Sequence, residues 1–310
     1  MRITEKFENI EAAIPKAARS LQNLNGVPTF HALYEVRHPC AAYNVSLSAL
    51  AKRLLGVLEA LSQTEHEARF LDVKDADWDV PLMEATDHML DALMEHLDDC
   101  GGIIRSFFSS AEDRRFKKIF TEYKKSVEPY RKHIGGIVNY IKHNQGRLRS
   151  VSFSWPAGSS LGYFVEGPVC SGGLGPVAKI HTSESTAFSF NRDIPFHICN
   201  IFAVGARLAN ALHSIDRRIV PTDIQRDVET RDTDWRKALI LASNLSRAYF
   251  PDELVKSIPL VGVKDGGVFV EYPASNIKVY GPPSGSRISI SFRGDGITTE
   301  YKMPYFNAQR

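Results

Sequence analysis

Ile134-Gly135-Gly136-Ile137-Val138-Asn139-Tyr140-Ile141-Lys142-His143-Asn144-Gln145-Gly146-Arg147-Leu148-Arg149-Ser150-Val151-Ser152-Phe153-Ser154-Trp155 is the stretch on which the reading of the fold turns. Up to Ile141 the apolar residues Tyr130, Ile134, Ile137, Val138 and Ile141 recur at three and four positions, the period of a helix with one buried face. From Val151 the period is two: Val151, Phe153 and Trp155 alternate with serines, as in a half-buried strand. Gly146 stands between the two patterns and is expected to stop the helix.

On the N-terminal side of this switch the pattern is helical. Leu47, Leu50, Leu54, Leu55, Leu58 and Leu61 mark one helix from Ser46. Asp72 to Val80 reads as an acidic loop, and Pro81 suits the first turn of the next helix. That helix buries Met83, Thr86, Met89, Leu90, Leu93, Met94 and Leu97, with Gly101-Gly102 as its expected end. Ser110, Glu112 and Asp113 suit a further helix start, because anions favour the positive end of the dipole. Pro129 predicts a kink or restart. Phe7 to Leu24 suits one helix broken at Pro15. The expectation is an N-terminal extension over residues 1–45 and a bundle of four or five helices over residues 46–148.

On the C-terminal side, residues 149–310 read as mixed α+β. Strands are expected at 151–155, 161–165, 177–181 and 188–190, with a glycine loop at Gly172 to Pro176. Pro195 and Thr233 open two helices, the second running to Tyr249. Residues 267–272, 277–280, 287–292 and 298–303 suggest an antiparallel meander. The fold class is therefore α+β, a helical bundle followed by a mixed half.

The 310 residues allow roughly two domains, and the formal net charge of +2 does not by itself demand a nucleic-acid partner. Cys40, Cys100, Cys170 and Cys199 form no C-x-x-C pair, so zinc-ribbon and thioredoxin-like sites are not expected. The N-terminus has no signal-like apolar run, and charged or polar residues interrupt every apolar stretch before the ~20 residues of a membrane span. A cytoplasmic protein with no membrane partner, no metal and no cofactor is the expectation.

Charge is strongly partitioned. Residues 57–100 carry 13 Asp/Glu and 2 Lys/Arg, whereas residues 114–149 carry 11 Lys/Arg and 2 Glu. Two readings fit. Lys124, Lys125, Arg131, Lys132, Arg147 and Arg149 would bind nucleic-acid phosphates or a partner protein. Equally, the basic helix would pack beside the acidic one, or each would present a solvated face. Glu84, His88, Asp91 and Glu95 share one helix side opposite the apolar stripe, which suits a water-facing surface better than a metal site. His181, His197, Cys170 and Cys199 lack the spacing of a nucleophile pair and read as core residues. Gly172-Gly173-Leu174-Gly175 matches no phosphate-binding fingerprint.

The segment from Asn139 to Arg149 concentrates polar groups at the end of an apolar helix. His143 lies one turn after Asn139, on the same helix face. Flanked by Lys142 and Arg147, it suits acid–base work on a phosphodiester. A helical bundle ending in Asn139-x-x-x-His143 resembles the HEPN domains of prokaryotic conflict systems, over about a third of the chain. Active HEPN domains end in an Arg-polar-x(3–5)-His motif and work as dimeric, metal-independent ribonucleases. The resemblance thus implies a homodimer in anti-phage defence or its regulation, with RNA as partner. It implies catalytic roles for His143 (acid/base) and Asn139 (orienting), and Lys142 or Arg147 would then serve as phosphate clamp. The positions for the motif arginine hold Gly136, Ile137 and Val138, so a binding or assembly component is the leading expectation. A ribonuclease is the second. A small-ligand sensor, with a pocket where the helices meet the sheet, is the third.

Overall fold

In the computed structural model, which describes residues 3–6, 13–68, 79–169, 172–181, 186–222, 233–291 and 300–305, a largely helical N-terminal half precedes a strand-rich C-terminal half. After a short strand β1 (Ile3–Lys6) come α1 (Lys16–Leu21), α2 (Pro39–Ala68), α3 (Val80–Arg105) and α4 (Arg114–His143). Helix α2 starts seven residues before the expected Ser46, and Pro15 serves as the N-cap of α1. Residues 7–12 and 69–78, part of the expected first helix and of the acidic loop, lie outside the described residues.

Two expected interruptions are absent. Gly101-Gly102 do not end α3, which runs on to Arg105, because Ile103 and Ile104 bury against the same core as the residues before them. Pro129 neither breaks nor restarts α4, a single helix of 30 residues. Val127, Tyr130 and Ile134 are buried on either side of the proline, and tertiary packing outweighs one lost backbone bond. Asp113 caps α4 by accepting from the backbone N–H of Arg115 (2.7 Å) and Phe116 (3.2 Å).

The second half holds β2 (Arg147–Trp155), β3 (Gly158–Pro168), β4 (Leu174–Pro176), β5 (Phe188–Ser189), α5 (Phe190–Ile215), α6 (Thr233–Ser243), β6 (Leu260–Lys264), β7 (Gly267–Tyr272) and β8 (Arg287–Ile290). All strand pairs are antiparallel. The C-terminal strands are divided between two sheets instead of following one another in one meander. β6 and β7 form a hairpin whose free edge takes β1, while β8 pairs with β2 in a sheet of order β4-β3-β2-β8. Residues 277–280 are not a strand; Tyr280 makes only an isolated bridge to Ala248. Residues 177–181 are a turn closed by the His181 N–H on the Val177 carbonyl (2.9 Å), not the expected strand.

The β2–β3 register explains how this sheet is buried on both faces. Leu161, Tyr163 and Val165 face the helices, whereas Val151, Phe153 and Phe164 meet Phe250 on the other side. The larger core is continuous from Ala13 to Val270 and draws on both halves of the chain. Its central element is α5, which begins at Phe190, five residues before Pro195. By length and composition α5 passes the test for a membrane span, contrary to the expectation from its polar interruptions, yet most of it is buried inside the fold. Its polar residues Asn191, Asp193, His197 and Asn200 all find hydrogen-bond partners there.

Candidate nucleic-acid interface

The basic block is divided by what each side chain touches. Arg131 pairs with Asp98 (2.5 Å) and Lys142 with Asp91 (2.9 Å), so the acidic helix α3 and the basic helix α4 do pack side by side. Arg115 donates to the carbonyls of Ser214 and Ile215 and thereby caps the C-terminus of α5. Lys117 holds Glu112 at 2.6 Å. Arg149 does not belong to any binding surface. It is 6% exposed and makes a two-pronged pair with Glu166, at 2.9 Å through both Nε and its terminal nitrogen, while Tyr301 donates to the same carboxylate. Strand alternation turned its side chain inward, towards the diagonal neighbour on β3.

Arg114, Lys118, Lys124, Lys125, Lys132 and Arg147 are exposed and have no ion pair among the described residues. Lys124 lies over the Phe120 ring at 4.6 Å. Towards its end, α4 borders a groove of about 350 Å³ lined by Arg131, Lys132, Asn139, Tyr140 and Asn144, with Met94 from α3 and Lys179 from the turn after β4. Glu128 is the one acidic residue on its wall among the described residues, and Gly135-Gly136 form part of its floor. The groove therefore joins Arg131, Lys132 and Asn139 from the predicted set. It adds Lys179, which the strand expectation for 177–181 concealed. Lys142 points to Asp91 instead, and His143 is exposed without lining the groove.

The chain leaves α4 through Asn144, whose N–H bonds the Tyr140 carbonyl (2.9 Å), and Gln145 in the left-handed region (φ 55°). Gly146 follows because a Cβ there would stand 2.6 Å from Tyr140 Cδ1. Its role is close approach to a ring, while Gln145 takes the left-handed turn expected of a glycine.

A second constellation lies on the opposite side of α4 and is sealed. Tyr130 Oη meets His197 Nδ1 (3.1 Å), His197 Nε2 meets Asp193 Oδ2 (3.1 Å), and Tyr163 donates to the same Oδ2 (2.7 Å). Burial opposes ionisation of Asp193, but His197, His133 and the Tyr163 hydroxyl hold its carboxyl down at about 2. Burial lowers His181 and His133 to about 4. Sequence order hid this cluster, since Asp193 and His197 are one helical turn apart only because α5 begins at Phe190.

A third network sits among α2, α3 and α4. Ser46 Oγ meets His96 Nδ1 (2.9 Å), and Cys100 Sγ lies 3.8 Å from His96 Nε2. The pair resembles an activated thiol in connectivity alone. Burial pushes Cys100 up to about 12 and His96 down to about 4, which keeps both neutral. Cys199, also buried, is pushed to about 12, and Cys170 lies outside the described residues. Glu84, His88 and Glu95 are exposed, and no group of three metal-type ligands occurs among the described residues.

No family model matches this chain, and no curated protein or solved structure matches it. The chemistry of its surface has to be read from its own residues.

Proposed function

We propose that this chain is a cytoplasmic binding component that holds RNA through the exposed basic side of α4, in a prokaryotic assembly such as an anti-phage system. The observation that supports it best is the groove. Lys132 and Lys179, from separate elements, flank it with no ion pair among the described residues, beside the amides of Asn139 and Asn144. Lysines left unpaired at a polar cleft suit phosphate oxygens, and Lys124 and Lys125 continue the charge along the helix. The prokaryotic defence setting and a homodimer rest on the HEPN resemblance, carried by Asn139 and His143.

Binding is favoured over ribonuclease activity because the three suggested catalytic groups face different surroundings. Asn139 borders the groove, Lys142 is paired with Asp91, and His143 stands outside the groove. The test is nucleic-acid binding by wild type and by a Lys124→Glu/Lys125→Glu/Lys132→Glu variant over a range of salt. The variant is expected to bind more weakly, with a salt slope smaller by about 1 for each phosphate it no longer neutralises. Undiminished binding by the triple variant would sink the proposal. Cleavage of RNA in EDTA that disappears in His143→Ala would promote the enzyme instead.

A further inference from the structure

We infer that the groove receives one unstacked nucleotide of a single-stranded RNA, its phosphate between Lys132 and Lys179 and its base against Tyr140 above Gly136. This inference rests on the RNA-binding proposal and narrows it from a charged surface to a site with a shape.

Three features of the groove carry it. The first is space. A Cβ added at exposed Gly136 would meet no atom within 4 Å, whereas one at buried Gly135 would contact Met94 and Asn139 at 3.8 Å. A helix interior normally disfavours glycine, so the bare backbone at Gly136 costs helix stability and leaves the floor open. The second is a fixed ring. A Cβ at Gly146 would lie 2.6 Å from Tyr140 Cδ1, and one at Gly167 would lie 2.4 Å from its hydroxyl. Two glycines thus let backbone close on one edge of Tyr140 while its half-buried side chain borders the groove. Such a ring is held in place before any ligand arrives, and a base stacks on an aromatic surface whatever its identity.

The third is the balance of polar groups. Lys132 and Lys179 supply charge for a phosphate, while Arg131 is already occupied by Asp98 and Glu128 adds a negative charge to the wall. The net capacity suits one phosphate and not a run of them. Asn139 and Asn144 each offer amide donors and an acceptor of the kind that reads a base edge. A base enters such a site only when it is free of its own helix; the bases of an A-form duplex are stacked and paired. At about 350 Å³ the groove is at the small end of ligand sites, which run from about 300 to 1,000 Å³.

The decisive variant is Gly136→Leu, which fills the floor with a good helix former and is expected to fold at least as stably as wild type by thermal melting. Binding is measured by fluorescence anisotropy with a short labelled single-stranded RNA, the same RNA as a duplex, and free AMP and UMP. The expected result is single-strand binding at least ~10-fold weaker in Gly136→Leu with duplex binding unchanged, the size of one base–aromatic stack. Lys124→Glu/Lys125→Glu should weaken both forms alike. Wild type and Gly136→Leu binding the single strand equally would overturn the nucleotide site and leave the RNA-binding proposal standing. A preference for duplex, or AMP or UMP binding as tightly as the strand, would also overturn it. Binding of no RNA by wild type would remove both. If Gly136→Leu melts below wild type, Gly136→Ala with Tyr140→Leu takes its place, and unchanged single-strand binding by that pair overturns the inference.

Discussion

Helix α4 presents two polar surfaces that differ in how far their groups are already paired. On its inner side, Tyr130 joins His197, Asp193 and Tyr163 in a chain of hydrogen bonds closed to water. On its outer side, Lys132 and Asn139 border an open groove in which Lys132 and Lys179 have no ion pair among the described residues. The residue types are those of catalysis and binding on both sides. Burial separates them: a buried polar group must be paired to be tolerated, and once paired it is committed to structure. An exposed, unpaired one keeps its capacity for a ligand. The same distinction divides the eleven basic residues, of which Arg149 is committed by Glu166 and Lys132 is not.

That contrast breaks most readily on its buried side. Asp193→Ala strips the acceptor from both His197 and Tyr163, and the expected loss is about 3–5 kcal/mol of unfolding free energy in urea titration. A loss below about 1 kcal/mol would mean that the sealed network is not structural. Arg149→Met leaves the Glu166 carboxylate inside the sheet with only Tyr301 as partner among the described residues, and a loss of similar size is expected.

Acid sharpens the contrast next. Buried His96 and His181 sit at about 4 against an ordinary 6.5, so the unfolded chain takes up protons first as pH falls from 6.5 towards 4, and stability falls over that window. Half-buried His133 moves the same way. Glu253 opposes them. Burial raises it to about 7 despite the Ser189 and Phe250 donors, so its contribution is present below 4.5 and lost as pH rises through 7. The histidines outweigh it, and a net loss of roughly 2 kcal/mol is expected on going from pH 7 to pH 5. Glu253→Gln removes the opposing group and should steepen that fall in urea titrations at the two pH values.

The smallest effect is expected on the open side. Lys142→Ala removes a half-exposed pair with Asp91 and should cost no more than about 1 kcal/mol in the same titration. A larger loss would place Lys142 among the structural cations.

Much of the fold was legible because hydrophobic period is a local property. The stripe from Tyr130 to Ile141 and the alternation from Val151 to Trp155 marked α4 and β2, although β2 begins four residues earlier than the alternation, at Arg147. Local breakers misled where burial outweighed them, at Gly101-Gly102 and at Pro129. The charge blocks were visible, and so was the chance that they pair. Which cations pair was not visible, because Asp98 and Asp91 lie a whole helix away along the chain.

By itself the sequence determined the α+β class, a helical N-terminal half before a strand-rich one and the basic character of α4, since each depends on residues within a few turns of one another. Tertiary structure alone decided that β8 returns to β2, that α5 is the buried centre of the molecule, and that Lys179 and Lys132 line one groove while Arg149 is sealed away. Those outcomes depend on contacts between distant segments, where burial and pairing are set by the whole core and not by any window of the chain.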